Sequence, residues 1–301
     1  MVSNAKAMVL ASFLADSLAL GAHWIYDTKK IISQFGKIDS LLKPLSDSYH
    51  HKKEKGELTH YGDQMLVLLK SIVVKKDFYL NDFFDRWLDL FNDYEGYVDQ
   101  ATRVTISNYF SGKNAEDAGS SSDDLGGAAR IAAIVYCNKN GEEKMVKNVR
   151  AQTRMTHNNP LPIDSAEFFG RLAKKVLDGT SPVKGIEEIT EKHFSDSPIS
   201  SFVKKGIESR GRDTIEAIKD FGQSCHVEEA FPGTVHIISK YGDNLRGALI
   251  QNVMAGGDSA ARGMMVGMII GAFAGYEDLP SQWLDDFRYR DKIEMMLEEL
   301  D

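Results

Sequence analysis

Four glycines spaced four residues apart, Gly263, Gly267, Gly271 and Gly275, constrain this 301-residue chain more than any other feature. On a helix that spacing places them along one face. Each glycine in a helix interior costs about 1 kcal/mol against alanine. The residues between them are mostly apolar, so a helix here needs a packing reason. Close approach of a second backbone supplies one, because a small-residue stripe projects nothing to hold it off. Near the N-terminus, Ala7, Ala11 and Ala15 also recur every fourth residue, with Met8, Leu14 and Leu18 beside them. They are the candidate partner stripe.

The run from Gly263 to Gly275 is about 13 residues, short of the roughly 20 that span a bilayer, so it reads as a buried helix. The N-terminal apolar stretch is interrupted by Asp16 and lacks a basic leader, so it reads as a helix of the mature protein. No membrane association is expected. With 44 acidic and 36 basic residues the net charge is −8, which argues against nucleic acid as a partner. Cys137 and Cys225 are the only cysteines. That count excludes a disulfide framework and a thiolate zinc cluster, and fits a cytoplasmic location.

Helical periodicity dominates the rest. Met65 to Val74, Leu80 to Tyr94, Gly127 to Cys137, Asp164 to Leu177 and Asn244 to Ala255 all carry apolar residues at helical spacing. Phe83, Phe84, Trp87 and Phe91 form an aromatic face that reads as core. Val235 to Ser239 is the best strand-like segment and fits a helix equally well. Segments 36–62, 111–124 and 178–185 read as loops. The lysines Lys52, Lys53 and Lys55, with His50 and His51, read as a solvated basic loop. One all-α domain over residues 1–301 is the expectation. Glycine-rich segments lack a P-loop lysine and follow no strand, so no nucleotide fingerprint is supported.

Gly256 and Gly257 followed by Asp258 and Ser259 read as a loop entering the glycine-striped helix. Asp258 or Ser259 is the candidate N-cap, and free amides there make an anion site.

Five stretches, in order, carry a resemblance. They are Ala15 to Trp24, Tyr61 to Met65, Gly126 to Ile131, Thr156 to Pro160, and Asn252 to Gly275. Together they resemble the ADP-ribosylglycohydrolase family, which includes the J-type crystallins. The resemblance covers roughly residues 5 to 290. It implies a compact orthogonal helical bundle with its site at helix N-termini, and two magnesium ions held by carboxylates and threonines. Hard oxygen ligands suit magnesium.

The matching positions depart from that ligand set. Ungapped, the family's Thr-Asp-Asp-Thr loop falls on His60, Tyr61, Gly62 and Asp63. Asp258 is retained, but Ala260 and Ala261 replace the aspartate and threonine that follow. His23 falls where several members carry an acidic residue. The two-magnesium centre is therefore expected to be degraded, with a single metal ion as the remaining option and Asp258 and Asp63 as its carboxylates. Asp63, Asp258, His60 and His23 are the expected catalytic group. Either they form a metal-free acid/base set, with histidine moving the proton, or the histidines and carboxylates recruit one transition metal. Ser122, Gly126, Gly127, His157, Gly256, Gly257 and Ser259 are the expected substrate-binding residues. Asp123 and Asp124 would repel a diphosphate unless turned away or bound to a cation. Asp16 reads as a buried tie to loop amides or to Arg130 or Arg262. The implied partner is a small glycoside or nucleotide-like ligand. The implied function is cleavage of an N- or O-glycosidic bond of an ADP-ribose-like or ribosyl compound; the alternative is a non-catalytic, crystallin-like role.

Overall fold

The two small-residue stripes meet. The computed structural model describes residues 2–138 and 141–301. In it helix α1 (Val2–Ala19) runs along the glycine-bearing helix near the C-terminus (Ser259–Ala274). A Cβ on Gly267 would lie 2.4 Å from the Ala11 carbonyl oxygen, and one on Gly271 would lie 2.5 Å from the Ala11 Cβ. Alanine and glycine thus let the two backbones touch. From Ala7 to Ala19 and from Ser259 to Ala272 the two helices are buried on all sides. Such a helix has no polar face to present to water. Gly275 does not extend the stripe; at φ 92° it ends the helix, its amide bonded to the Gly271 carbonyl.

The other helices wrap this pair. In chain order they are α2 (Thr28–Phe35), α3 (His60–Lys75), α4 (Leu80–Asn92), α5 (Gln100–Phe110), α6 (Ala132–Cys137), α7 (Glu142–Arg154) and α8 (Pro160–Leu177). Then come α9 (Pro182–His193), α10 (Pro198–Glu208), α11 (Thr214–Phe221), α12 (Val227–Tyr241) and α13 (Leu245–Met254). The glycine-bearing helix is α14, followed by α15 (Ser281–Asp286) and α16 (Arg290–Glu298). Among the described residues there is no strand, only the isolated bridges Ser120–His157 and Asp124–His226. No helix is long and apolar enough to cross a membrane among the described residues. The fold is an all-α bundle.

Local chemistry explains where expected boundaries moved. Helix α3 begins at His60 because the Thr59 hydroxyl accepts the Tyr61 amide as an N-cap. Proline at the first position starts α8 and also α9, the latter inside a segment expected to be loop. The run expected to be one helix from Gly127 to Cys137 is instead a 3₁₀ turn, Leu125–Arg130, followed by α6. Val235 to Ser239 is helical, within α12. Trp87, Phe83 and Phe84 are core, and the Trp87 indole donates to Gln64.

Asp16 ties α1 to the start of α3. Its carboxylate, fully buried, accepts the Thr59 amide at 2.8 Å and the Thr59 hydroxyl at 2.5 Å. The partner is thus a loop amide, as expected, and not Arg130 or Arg262. Burial outweighs both hydrogen bonds and lifts the Asp16 pKa from 3.8 to about 7. A carboxyl raised on folding holds its proton better in the native state, so stability falls as pH rises from about 4 to 7. At 1.36 kcal/mol per unit the displacement is worth roughly 4 kcal/mol at most. Urea denaturation of Asp16→Asn across that range should show a shallower decline than wild type; an unchanged slope would place the Asp16 proton elsewhere.

Candidate active site

Three histidines converge beneath an aromatic cover. His23 follows α1, His50 lies in the loop between α2 and α3, and His60 opens α3. One ring nitrogen from each lies within 4.8 Å of the others. All three side chains are buried, and none of their six ring nitrogens has a hydrogen-bond partner. Native proteins seldom leave buried polar atoms unmatched, so such a cluster needs an explanation. Burial, then the neighbouring imidazoles, hold His23 and His50 well below the ordinary histidine pKa; burial takes His60 down to about 3. The rings are neutral at physiological pH.

Trp24 stacks on His23 with ring centroids 4.3 Å apart and on His50 at 5.7 Å. Tyr49 and Tyr97 meet the Trp24 ring edge-on. Trp24 has φ 64°, a left-handed conformation rare for a bulky residue and a mark of local strain. Two backbone bonds fix it: the Trp24 amide donates to Gly257, and the Gly257 amide donates to Ile25, each at 2.9 Å. The glycine loop before α14 therefore sets the indole over the histidines. His23, Trp24, Tyr26 and Tyr49 line an adjoining pocket of about 210 Å³.

Asp258 lies on the other side of His23, its oxygen 3.8 Å from Nδ1. It caps α14 by accepting the Ala261 amide at 3.0 Å, and it accepts the Tyr61 hydroxyl at 2.9 Å. Burial raises its pKa from 3.8 to about 6 despite those bonds and the charge of Arg262; Asp124 adds to the rise. Asp124 has the opposite fate. Burial, the largest single effect, would raise it, but the charge and hydrogen bond of His157, the Ser122 hydroxyl and the Gly126 amide together outweigh burial and bring it to about 2. Tyr61 is near both carboxylates: its hydroxyl bonds Asp258, and its ring edge and Asp124 both lie against Gly126. A Cβ on Gly126 would sit 2.4 Å from Tyr61 Cε1 and 2.9 Å from Asp124 Oδ1.

The expected residues sort as follows. His23, His60 and Asp258 come together. Asp63 does not join them: it pairs with Lys53 at 2.6 Å and accepts the Tyr94 hydroxyl at 2.6 Å, sharing neither contact with Asp258. The neighbouring glycine has a clear cause, since a Cβ on Gly62 would lie 2.4 Å from Asp16 Oδ2. Asp16 occupies the room an aspartate there would need. His157 is held between the Thr156 hydroxyl at 2.8 Å and Asp124 at 2.7 Å, so it positions Asp124. Ser122 donates to Asp124, and Gly127 lies under the His157 ring.

The loop amides expected to form an anion site before α14 are taken up within the protein. The Gly256, Gly257, Asp258 and Ser259 amides donate to Val253, Ile25, Gln223 and Gly257, so none of these four is free for a ligand. Ser259 Oγ, buried without a partner, is the polar atom left there. Asp123 and Asp124 are turned onto His226 and His157 and face no open anion cradle. The basic loop is not simply solvated: His50 is buried and Lys53 is committed to Asp63. Sequence reasoning missed His50, Trp24 and Asp124. Only Asp124 had a local signal, as the side chain that caps the 3₁₀ turn before Gly126.

The magnesium pair implied by the resemblance does not fit these residues. Tyr61, Ala260 and Ala261 stand at ligand positions, and the retained carboxylate, Asp258, is already bonded to the Tyr61 hydroxyl.

The chain is thus an all-helical bundle with its polar centre at the N-termini of α3 and α14. The sequence profile described as ADP-ribosylglycohydrolase matches residues 2–301, and the chain belongs to that family. Crystallin J1A of Tripedalia cystophora is 23% identical, with 99% of this chain and 96% of that protein aligned. The ADP-ribosyl-[dinitrogen reductase] glycohydrolase of Rhodospirillum rubrum is 28% identical over 50% of this chain and 44% of its own. Among solved structures, an ADP-ribosylglycohydrolase-related protein complex superposes with a TM-score of 0.78 at 18% identity, covering 99% of this chain and 97% of that one; it shows the fold.

Proposed function

We propose that this chain, acting as one unit over residues 1–301, cleaves an N- or O-glycosidic bond of a ribosyl or ADP-ribose-like compound. The carrying observation is the pair of carboxylates around Tyr61, one raised to about 6 and the other lowered to about 2. Environments that push two carboxyls apart set an acid against a permanent anion. Asp258 exchanges a proton near neutrality and serves the leaving group or the attacking water. Asp124 stays ionised and stabilises positive charge developing on the ribose ring. Asp258 is fully buried and holds the Tyr61 hydroxyl, so turnover requires the Tyr61 side chain to move aside. The two unpaired cysteines fit a reducing, cytoplasmic setting.

The closed Tyr61–Asp258 hydrogen bond favours one other reading, a crystallin-like protein that keeps the shape of the cleft without its chemistry. Hydrolysis of a panel of ribosyl N- and O-glycosides separates the two. Turnover should fall as pH rises through about 6 if Asp258 acts as the acid. No turnover of any member would leave the crystallin-like reading.

A further inference from the structure

We propose that His23, His50 and His60 form a binding site for one transition-metal ion of the zinc class. Three imidazoles buried together, with every ring nitrogen unpartnered, are what such an ion requires of its ligands. Neutral imidazole suits zinc, cobalt, nickel and copper, whereas magnesium takes oxygen. Three protein nitrogens also leave a fourth position of a tetrahedral ion open, as in sites that hold a water or substrate. Metal–nitrogen bonds of about 2.0–2.1 Å place tetrahedral nitrogens about 3.4 Å apart. The present nitrogens lie within 4.8 Å of one another, so an ion would draw them together by at most about 1.4 Å.

The surroundings carry the same sign. Asp258 lies 3.8 Å from His23 Nδ1 and Asp99 lies 3.4 Å from His60 Nε2. Two carboxylates beside the rings offset a divalent charge, and ligating histidines characteristically have such partners on their outer nitrogens. His23 and Trp24 line the 210 Å³ pocket, which adjoins the cluster. This ligand set differs from a carboxylate cage: it is made of three imidazoles, one of them, His50, at a position the resemblance does not make a ligand, and Asp63 is outside it. The inference does not depend on glycoside cleavage, because binding is measured without turnover.

The test uses the full chain stripped with a chelator and titrated with Zn²⁺ and with Co²⁺. One equivalent of zinc should bind, and Co²⁺ should give the intense visible absorption of a tetrahedral nitrogen site. His50→Phe, which preserves the aromatic stack, should weaken zinc at least about 100-fold, the upper end of outer-shell effects. Asp63→Ala should leave the stoichiometry at one. Wild-type protein that binds no zinc, cobalt or nickel at micromolar concentration overturns the site, whatever the variants do. So does zinc retained at full affinity by folded His50→Phe. Thermal denaturation with and without Zn²⁺ gives a second reading of wild type, since an ion that binds only the native state raises the midpoint.

Discussion

Gly267→Val should leave the chain unfolded, or so destabilised that its urea midpoint falls to a small fraction of the wild-type value. The new Cβ would meet the Ala11 carbonyl oxygen at 2.4 Å, the Ala11 carbonyl carbon at 2.8 Å and the Ala15 Cβ at 3.2 Å. Two of these are backbone atoms inside α1, which no rotamer change can move. Relief comes only by separating α1 from α14, and that opens a gap along a fully buried pair. Dispersion contacts are lost steeply with sub-ångström separation. Overpacking alone costs about 1–3 kcal/mol, and the lost interhelix contact adds several more. Total stabilities are about 5–15 kcal/mol, so one substitution can use most of the margin. Gly211→Ala is the control: Gly211 is exposed and a Cβ there meets nothing within 4 Å. Circular dichroism and urea titration of both variants check the claim. If Gly267→Val unfolds at the wild-type midpoint, the two helices are not in backbone contact.

The stripe was legible because its physics is local and periodic: spacing alone says which face is bare. The Asp258 cap was legible for the same reason, as a polar residue between a glycine pair and an apolar helix. The histidine cluster was not. His23, His50 and His60 come from three separate segments, and His50 sits among lysines in a stretch with no periodicity. Only chain closure makes them neighbours. At Asp123 and Asp124 the sequence left two outcomes open, repulsion of a diphosphate or carboxylates turned away; the structure turns each onto a histidine. Composition misled at the glycine loop. Gly256 and Gly257 do present amides, but the carbonyls of Val253 and Ile25 take them up, and no pattern in the loop announces that. Trp24 carries no signal at all for its left-handed backbone, which depends on bonds to a residue more than two hundred positions away.

Asp258→Asn should abolish turnover and stabilise the fold at once. The amide keeps the shape of the carboxylate and still caps α14 through Ala261, since asparagine caps as well as aspartate. It cannot exchange a proton near neutrality, and loss of a general acid or base lowers kcat by about 10²–10⁴. The stability change follows from linkage. The Asp258 pKa rises from 3.8 to about 6 on folding. The native state therefore binds more protons than the unfolded chain between those values, and stability is lost as pH rises through them. Above pH 6 the buried charge costs roughly 3 kcal/mol, most of which the neutral amide removes. Wild type and variant should then have similar urea midpoints near pH 4 and separate as pH rises, with the variant the more stable at pH 8. Reduced activity with increased stability is the pattern of a residue kept for chemistry at the expense of the fold. Asp63→Asn should behave oppositely. It breaks a mostly buried ion pair with Lys53, leaving an unpaired ammonium, so stability should fall. Its effect on kcat should be small, because the Asp63 carboxylate is bonded to Lys53 and Tyr94 rather than to Tyr61. A stabilised Asp258→Asn with unchanged turnover would remove Asp258 from the chemistry and leave it as a helix cap.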